Sequence, residues 1–469
     1  MTETIICQFQ TIDNEKTGPE LEIPKNITIS QLQILINELL KNEEEIPYSF
    51  YVNDTEITDT LLKTMEEQKT STEQVLTIIY QPQAIFRVRA VSRCTSSLAG
   101  HTEAILNVNF SPNGKQLASG SGDSTVRLWD LNTETPKKTL EGHSNWVLYV
   151  SFSPDGKKLA SGGMSGDIII WSVETGEKIG KTLTGHSKWI TCLSWEPFHC
   201  DPTCRRLVSS SKDGTSRVWD TVNSTCDLLL SGHTKSVTCV KWGGEGFIYT
   251  SSQDCTIKVW SAKDGRLVRS LEGHGHWVNT MALNTDYIIR TGPFDHKTFQ
   301  VDSLSEEESK KLAIEKYQST KGNRTEKLVT GSDDFTLILW DPTVNNKQVA
   351  RMTGHRQLIN QVCFSPDMRI IASASFDKSI KLWDGNKGDF IGTLFGHVGA
   401  VYQISFSSDS RLLVSGSKDS TAKVWDIKSK KLLNDLPGHS DEVYSVDWSP
   451  DGQRVATGGK DRILKIWRF

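Results

Sequence analysis

From residue 100 onward, short apolar stretches recur with a two-residue alternation, the mark of half-buried strands rather than helices. In the first repeat Ile105–Phe110 reads as one strand, Lys115–Ser119 as a second and Thr125–Trp129 as a third, and Ser111-Pro112-Asn113-Gly114 turns the chain between the first two. The same order occurs eight times in all. Each return opens on a Gly-His pair, at 100/101, 142/143, 185/186, 232/233, 273/274, 354/355, 396/397 and 438/439, and ends on Trp129, Trp171, Trp219, Trp260, Trp340, Trp383, Trp425 and Trp467 in turn. Gly and Trp stand 29 residues apart in five repeats, 34 in the third, 28 in the fourth and 67 in the fifth.

An Asp lies six residues before the Trp in seven repeats: Asp123, Asp213, Asp254, Asp334, Asp377, Asp419 and Asp461. Repeat two has Ser165 in that place. Repeats of about 40–45 residues with Gly-His and Trp-Asp marks resemble the WD40 family, in which each repeat builds one four-stranded blade of a propeller. In that family the Asp, the His and the Trp join a network that locks the blade. The resemblance gives this role to His101, Asp123 and Trp129, to His186, Asp213 and Trp219, and to His355, Asp377 and Trp383, and it makes blade two the weak one. A periodic histidine is a framework residue, so function is sought in what differs between repeats. The chain stops two residues after Trp467, leaving blade eight short of an outer strand, and the alternating segment Ile85–Arg93 is expected to supply it and close the ring. Within the 38 extra residues of repeat five, Ser305-Glu306-Glu307-Glu308 is a capping-box pattern that predicts a helix over Glu306–Gln318.

Ahead of the repeats the pattern changes. Ile5–Thr11 and Glu20–Pro24 read as strands flanking a turn at Gly18-Pro19; Ser30 is expected to cap a helix with Leu32, Leu35, Ile36, Leu39 and Leu40 on one face; Tyr48–Val52 and Val75–Tyr80 read as later strands. This order resembles a ubiquitin-like β-grasp. The segment ends Tyr80-Gln81-Pro82-Gln83, without the diglycine that conjugation needs. The fold class expected is mainly β: an eight-bladed WD40 β-propeller at 100–469 with a helical insertion at about 294–325, a linker and closing strand at 83–99, and a small α+β ubiquitin-like domain at 1–82.

Charge separates the same two modules. Residues 1–82 hold 15 Asp and Glu against 5 Lys and Arg, a balance of −10; the rest of the chain is +6, and together they make the net −4. At 36% hydrophobic and 23% charged, the 469 residues describe a chain with ample core and no run of about 18 apolar residues for a membrane span. The start carries no secretory signal, and nine scattered cysteines do not write a disulfide framework, so an intracellular, reduced protein is expected.

The 14 tryptophans sort by position. Eight end the third strands, and Trp195, Trp242 and Trp448 take the first-strand place held by Phe110, Phe152, Phe364 and Phe406 in other repeats. Trp146, Trp189 and Trp277 remain, each three residues after a Gly-His histidine, where other repeats have Ala104, Ser236, Leu358, Ala400 and Glu442. Nothing in the fold requires an aromatic there. With Lys188, Lys235, His276 and Arg356 nearby, and with Lys212, Phe376, Lys418 and Lys460 placed just before the framework Asp, they outline a candidate docking face for RNA or an RNA-bound protein. His199, Cys200 and Cys204 fall short of a zinc signature, and no P-loop, nucleophile elbow or HExxH is present.

Ubiquitin-like module plus eight-bladed propeller is a rare pairing. With the strings Gly185-His186-Ser187-Lys188-Trp189-Ile190, Val240-Lys241-Trp242-Gly243-Gly244, Ile288-Ile289-Arg290-Thr291-Gly292-Pro293-Phe294 and Leu436-Pro437-Gly438-His439, the chain resembles the notchless family of large-subunit ribosome assembly factors. That resemblance implies a non-enzymatic scaffold of the nucleus and nucleolus. Its propeller would dock on pre-60S particles, on ribosomal proteins and rRNA near the 5S ribonucleoprotein, and its ubiquitin-like domain would be grasped by the AAA ATPase midasin. Midasin's adhesion site holds Mg²⁺ and takes one outside carboxylate, which the family supplies from a Ser-Thr-Glu segment; here this is Ser71-Thr72-Glu73, and Glu73 is the expected ligand. No cofactor of the chain's own, no small-molecule substrate and no membrane partner is expected. A substrate receptor or scaffold of a ubiquitin ligase is the alternative, the family's name leaves a Notch-related signalling role open, and an enzyme would need convergent carboxylates or a metal that the sequence does not display.

Overall fold

The computed structural model describes residues 4–11, 16–40, 48–52, 55–57, 60–68, 75–82, 88–294, 305–322 and 324–469. The chain separates into two units, one made chiefly of the first 87 residues and the other of Val88 onward.

In the first unit a five-stranded sheet runs in the order Lys16–Pro24, Thr4–Gln10, Leu76–Pro82, Tyr48–Val52, Thr55–Glu56, with Thr4–Gln10 parallel to Leu76–Pro82. The helix Ile29–Leu40 lays Leu32 and Ile36 on a core with Phe9, Phe50 and Ile78. Two local expectations change. Gly18-Pro19 is not the turn: the second strand already starts at Lys16, and Gly18 at φ +70° sits in a bulge where the ladder slips between Cys7 and Phe9. Ser30 is not at the cap position either: the helix already begins at Ile29, and the capping contact is at Thr28, whose N–H and hydroxyl both donate to Gln31 Oε1 at 3.1 and 3.3 Å. A second helix, Leu61–Gln68, precedes the strand Leu76–Pro82.

In the second unit the alternating runs become the inner strands of eight antiparallel sheets. Each inner strand packs on that of the next blade, and Val443–Trp448 of blade eight packs on Ile105–Phe110 of blade one, so the ring closes. Apolar side chains interdigitate between blades; Ile190, Leu193 and Trp195 of blade three meet Ile168 and Ile170 of blade two. The insertion holds the expected helix, extended to Glu306–Lys321, and its capping box is formed: the Ser305 N–H donates to Glu308 Oε2 at 2.9 Å and the Glu308 N–H to Ser305 Oγ at 3.3 Å.

The closing strand is Arg93–Ala99, not Ile85–Arg93. It pairs antiparallel with Ile463–Arg468, Ala99 opposite Ile463 and Arg93 opposite Arg468. The register is set from the Gly-His end: Leu140, Leu230, Leu271, Leu394 and Leu436 each stand two residues before a Gly-His pair on an outer strand, and Leu98 holds that place before Gly100. The apolar residues Val88 and Val91 serve instead to seat the approach; Val91 O accepts from Asn434 Nδ2 and the Val88 N–H donates to Asp409, both at 2.8 Å.

Blade two is the exception among the described residues, with three regular strands and an outer segment joined only through Ile168–Leu183 and Trp171–Lys178 bridges. Its His143 has no partner for Nδ1, and the Ser165 hydroxyl is likewise unpaired. The local cause is an exchange: Asp123-Ser124-Thr125 in blade one becomes Ser165-Gly166-Asp167 here. Burial without a carboxylate at Nδ1 drives the His143 pKa down to about 4. Because the unfolded imidazole takes its proton near pH 6.5, this group lowers stability progressively as pH falls from about 6.5 towards 4. Restoring the order with Ser165→Asp and Asp167→Thr is expected to add about 1–2 kcal/mol, read as a higher melting midpoint, and to flatten part of the acid-side loss; an unchanged midpoint would contradict the lock.

Candidate functional site

The face that carries the tryptophans is made by the lock. In blade one His101 lies between Asp123 Oδ2 on Nδ1 and Ser119 Oγ on Nε2, both at 2.8 Å, and Ser119 Oγ accepts the Trp129 indole N–H at 2.8 Å. Blade three repeats this with His186, Asp213, Ser209 and Trp219, and blade six with His355, Asp377, Ser373 and Trp383. Burial lowers the His101 pKa although Asp123 pulls the other way. For Asp123 burial works upward, but Thr125 and His101 bond the carboxylate and hold it below its ordinary value. These groups are occupied by each other. The same carboxylate also accepts the Thr102 N–H at 3.0 Å and the Thr125 N–H at 2.9 Å, tying the loop that enters the blade to the turn between its second and third strands.

That tie brings together two sets of residues that sequence position keeps apart. In every blade the residue before the Asp position donates its N–H to the carbonyl of the residue three after the histidine: Met164 to Trp146 at 2.8 Å, Lys212 to Trp189 at 2.9 Å, Asp333 to Trp277 at 2.9 Å, Phe376 to Leu358 at 3.1 Å, Lys418 to Ala400 at 2.9 Å and Lys460 to Glu442 at 2.9 Å among them. The three tryptophans are 49%, 39% and 40% exposed, whereas the other eleven are buried. Lys212 Nζ lies 4.2 Å above the Trp189 ring and Lys188 is exposed beside it. Trp277 stacks obliquely on exposed His276 at 5.3 Å, with Asp333 3.5 Å from the imidazole. Trp146 lies over Gly122 of blade one, where a Cβ would meet its indole at 3.6 Å.

The remaining positions are of a different kind. Lys418 and Lys460 have acidic neighbours, Glu442 at 4.0 Å and Asp441 at 3.3 Å, so their charge is partly balanced. Phe376 is half-buried against Tyr402, which meets Tyr444 at 5.6 Å and donates to Glu442 Oε2 at 3.0 Å. Tyr402 and Tyr444 escaped the sequence reading; the available signal was an aromatic directly after the first strand valine, where other blades have Leu106, Leu148 or Thr191. Ser71, Thr72 and Glu73 lie outside the described residues, between the helix Leu61–Gln68 and the strand Leu76–Pro82.

Opposite ends of antiparallel strands face opposite ways, so the loops after the first strands form the other face, and there the insertion works. A helix not expected from sequence, Asp286–Thr291, sits across the channel end. Its Arg290 Nη1 binds Asp447 of blade eight at 2.9 Å, Asp286 pairs with Lys241 of blade four at 3.0 Å, Ile288 packs on Met368 of blade six, and Gly292 lies against Pro154 of blade two. Buried Glu326, at the insertion's exit, accepts from Thr285 at 2.6 Å, the Gly244 N–H at 2.9 Å and Tyr249 at 3.1 Å. His199 is accounted for here, donating through Nε2 to Gly244 O at 3.0 Å and stacking on Tyr317 at 4.2 Å. Among the described residues no His, Cys, Asp and Glu cluster is disposed to hold a metal ion, and no helix is long and apolar enough to cross a membrane.

A closed ring of Gly-His and Trp-Asp blades stitched in this way is a WD40 propeller. The WD domain, G-beta repeat family matches residues 92–130, 134–172, 177–220, 224–261, 346–384, 388–426 and 430–468, and the NLE (NUC135) domain matches residues 5–65. The chain is 54% identical to Protein Notchless of Drosophila melanogaster, covering 78% of this chain and 76% of that one. It is 56% identical to the Notchless protein homolog of Arabidopsis thaliana, covering 83% and 82%, and 49% identical to Ribosome assembly protein 4 of Saccharomyces cerevisiae, covering 83% and 79%. The solved structure of the computationally designed Ika8 protein is similar at a TM-score of 0.63 and 27% identity, over 80% of this chain and 98% of that one. The chain belongs to the Notchless family of WD-repeat proteins.

Replacing Trp146, Trp189 and Trp277 together by Ala is expected to leave the unfolding free energy within about 0.5 kcal/mol per site of the wild type. Trp219→Ala, which empties a buried lock, is expected to cost about 3–5 kcal/mol. Comparable losses in thermal unfolding for the two variants would place the three rim residues in the core.

Proposed function

We propose that this protein is a non-enzymatic ribosome assembly factor of the nucleus and nucleolus. Its propeller docks on pre-60S particles, on ribosomal proteins and rRNA near the 5S ribonucleoprotein, while its N-terminal domain offers Glu73 to the Mg²⁺-bearing adhesion site of midasin. ATP hydrolysis by midasin is thereby coupled to large-subunit maturation. The reading is carried by one observation: Trp146, Trp189 and Trp277 stay exposed on the face that the locks hold rigid, at positions where the fold asks for no aromatic. A preordered aromatic with a cation above it, as Trp189 with Lys212, is the kind of group on which binding energy concentrates. The names of the relatives, Ribosome assembly protein 4 among them, support the same assignment.

Docking and midasin recognition separate experimentally. On gradients, the triple Ala variant at Trp146, Trp189 and Trp277 is expected to leave the pre-60S fractions while still folded; sedimentation with ubiquitin-ligase subunits in place of ribosomal particles would overturn the reading. Glu73→Asp keeps the charge but shortens the reach by one methylene, which a metal's last coordination position does not tolerate. It is expected to abolish Mg²⁺-dependent binding to the midasin adhesion domain and to leave the variant stranded on particles, whereas Glu66→Asp and Glu67→Asp bind normally. Equal, salt-sensitive losses at all three positions would mark a diffuse electrostatic contact and refute the ligand role.

A further inference from the structure

In five blades the third residue of the inner strand stitches the channel wall to the next blade. Asn107 Oδ1 accepts the Val150 N–H at 3.1 Å, Thr280 Oγ1 the Val362 N–H at 3.4 Å, Gln361 Oε1 the Ile404 N–H at 2.6 Å, Gln403 Oε1 the Val446 N–H at 3.0 Å and Ser445 Oγ the Val108 N–H at 2.9 Å. Blade two breaks the series with Tyr149, which neighbours Cys192, and blades three and four break it with thiols. Cys192 and Cys239 place their sulfurs 3.8 Å apart, the Cys239 S–H directed at Cys192 Sγ, across the seam that the other side chains close by hydrogen bonding. Cys192 is buried and Cys239 partly exposed.

We propose that Cys192 and Cys239 form a reactive dithiol that peroxides oxidise to a disulfide, joining blade three covalently to blade four. The surroundings suit the chemistry. The Cys239 hydrogen bond holds the Cys192 thiol below its ordinary pKa against the effect of burial, and the Lys241 ammonium acts in the same direction. Burial works against the charge on Lys241, but Asp286, 3.0 Å away, together with the surrounding Tyr149, Cys239 and Cys192 holds its pKa up. Within the pair, Cys239 is pushed well up by its hydrogen bond to Cys192 and by burial, so it keeps its proton and Cys192 is the thiol that ionises first; outside the pair burial raises Cys7 and Cys200 to about 12 and about 11, and Cys204 and Cys363 further. In the first step the Cys192 thiolate attacks one peroxide oxygen, the O–O bond breaks, and a sulfenic acid forms with release of hydroxide, which takes up a proton as water. Cys239 sulfur then attacks the Cys192 sulfur, the S–O bond breaks, and the hydroxide leaves as a second water with the Cys239 proton. The two sulfurs lose two electrons and the peroxide gains them.

The test treats the full-length protein with hydrogen peroxide, alkylates residual thiols after unfolding, and maps peptides with and without reductant. Expected is a Cys192–Cys239 crosslink as the first product, a loss of two of the nine thiols that dithiothreitol reverses. With Cys239→Ser, the oxidised Cys192 is expected to be trapped by dimedone as sulfenic acid. The proposal is overturned if both thiols are recovered alkylated while exposed Cys94, Cys200 or Cys226 are oxidised, or if a Cys200–Cys204 link forms first. The mapping on wild-type protein decides the matter even if the serine variant does not fold.

Discussion

A buried imidazole held between a carboxylate and a hydroxyl is the interaction on which the rest depends. Seven of the eight blades have it, His101 to Asp123 and its counterparts, and in each the carboxylate also gathers backbone N–H groups from two loops. Burial makes each hydrogen bond there costly to lose, because a partner removed leaves a desolvated group behind. Loops that would otherwise wander are tied to one another as an ordered rim. A rim of that rigidity presents side chains at little cost in conformational freedom, which is why exposed aromatics on it are useful for binding.

The two faces of the ring have divided their tasks. On the face built by the locks, blades two, three and five carry Trp146, Trp189 and Trp277, with the Lys212 ammonium over the second and the His276 imidazole beside the third, and blades six to eight carry Phe376, Tyr402 and Tyr444 with carboxylates. On the other face the insertion of blade five crosses the channel and contacts blades two, four, six and eight. Arg290 and Asp447 form a bond of that brace in which the carboxylate is buried and the guanidinium half-buried, so removing the Arg290 charge would strand Asp447. The plugged face gains stiffness, and the open face keeps its side chains free for a partner.

Much of this was legible because it repeats. Periodic histidines and tryptophans announced the blades, and their regularity made the three irregular tryptophans stand out. Ser165 foretold the unpaired His143, and Ser305 with Glu308 foretold the start of the inserted helix. What escaped was decided by contacts distant in sequence. The closing strand takes its register from the ladder of Ile463–Arg468, which overrides the stronger apolar alternation at Ile85–Arg93. The short helix Asp286–Thr291 has no length to show a period, and its existence rests on Asp447, Lys241 and Met368 of other blades. Pairing of Trp189 with Lys212 depends on a hydrogen bond between two loops that no local pattern displays.

On the reading proposed, the lock-built face, and not the braced one, meets the partner. Hydrogen–deuterium exchange on the full-length protein, free and bound to purified pre-60S particles, tests it directly. New protection is expected over residues 144–147, 187–190 and 275–278, with the exposed side of the helix Glu306–Lys321 exchanging as in the free protein. Protection confined to that helix and to residues 197–205, with the three tryptophan loops unchanged, would contradict it.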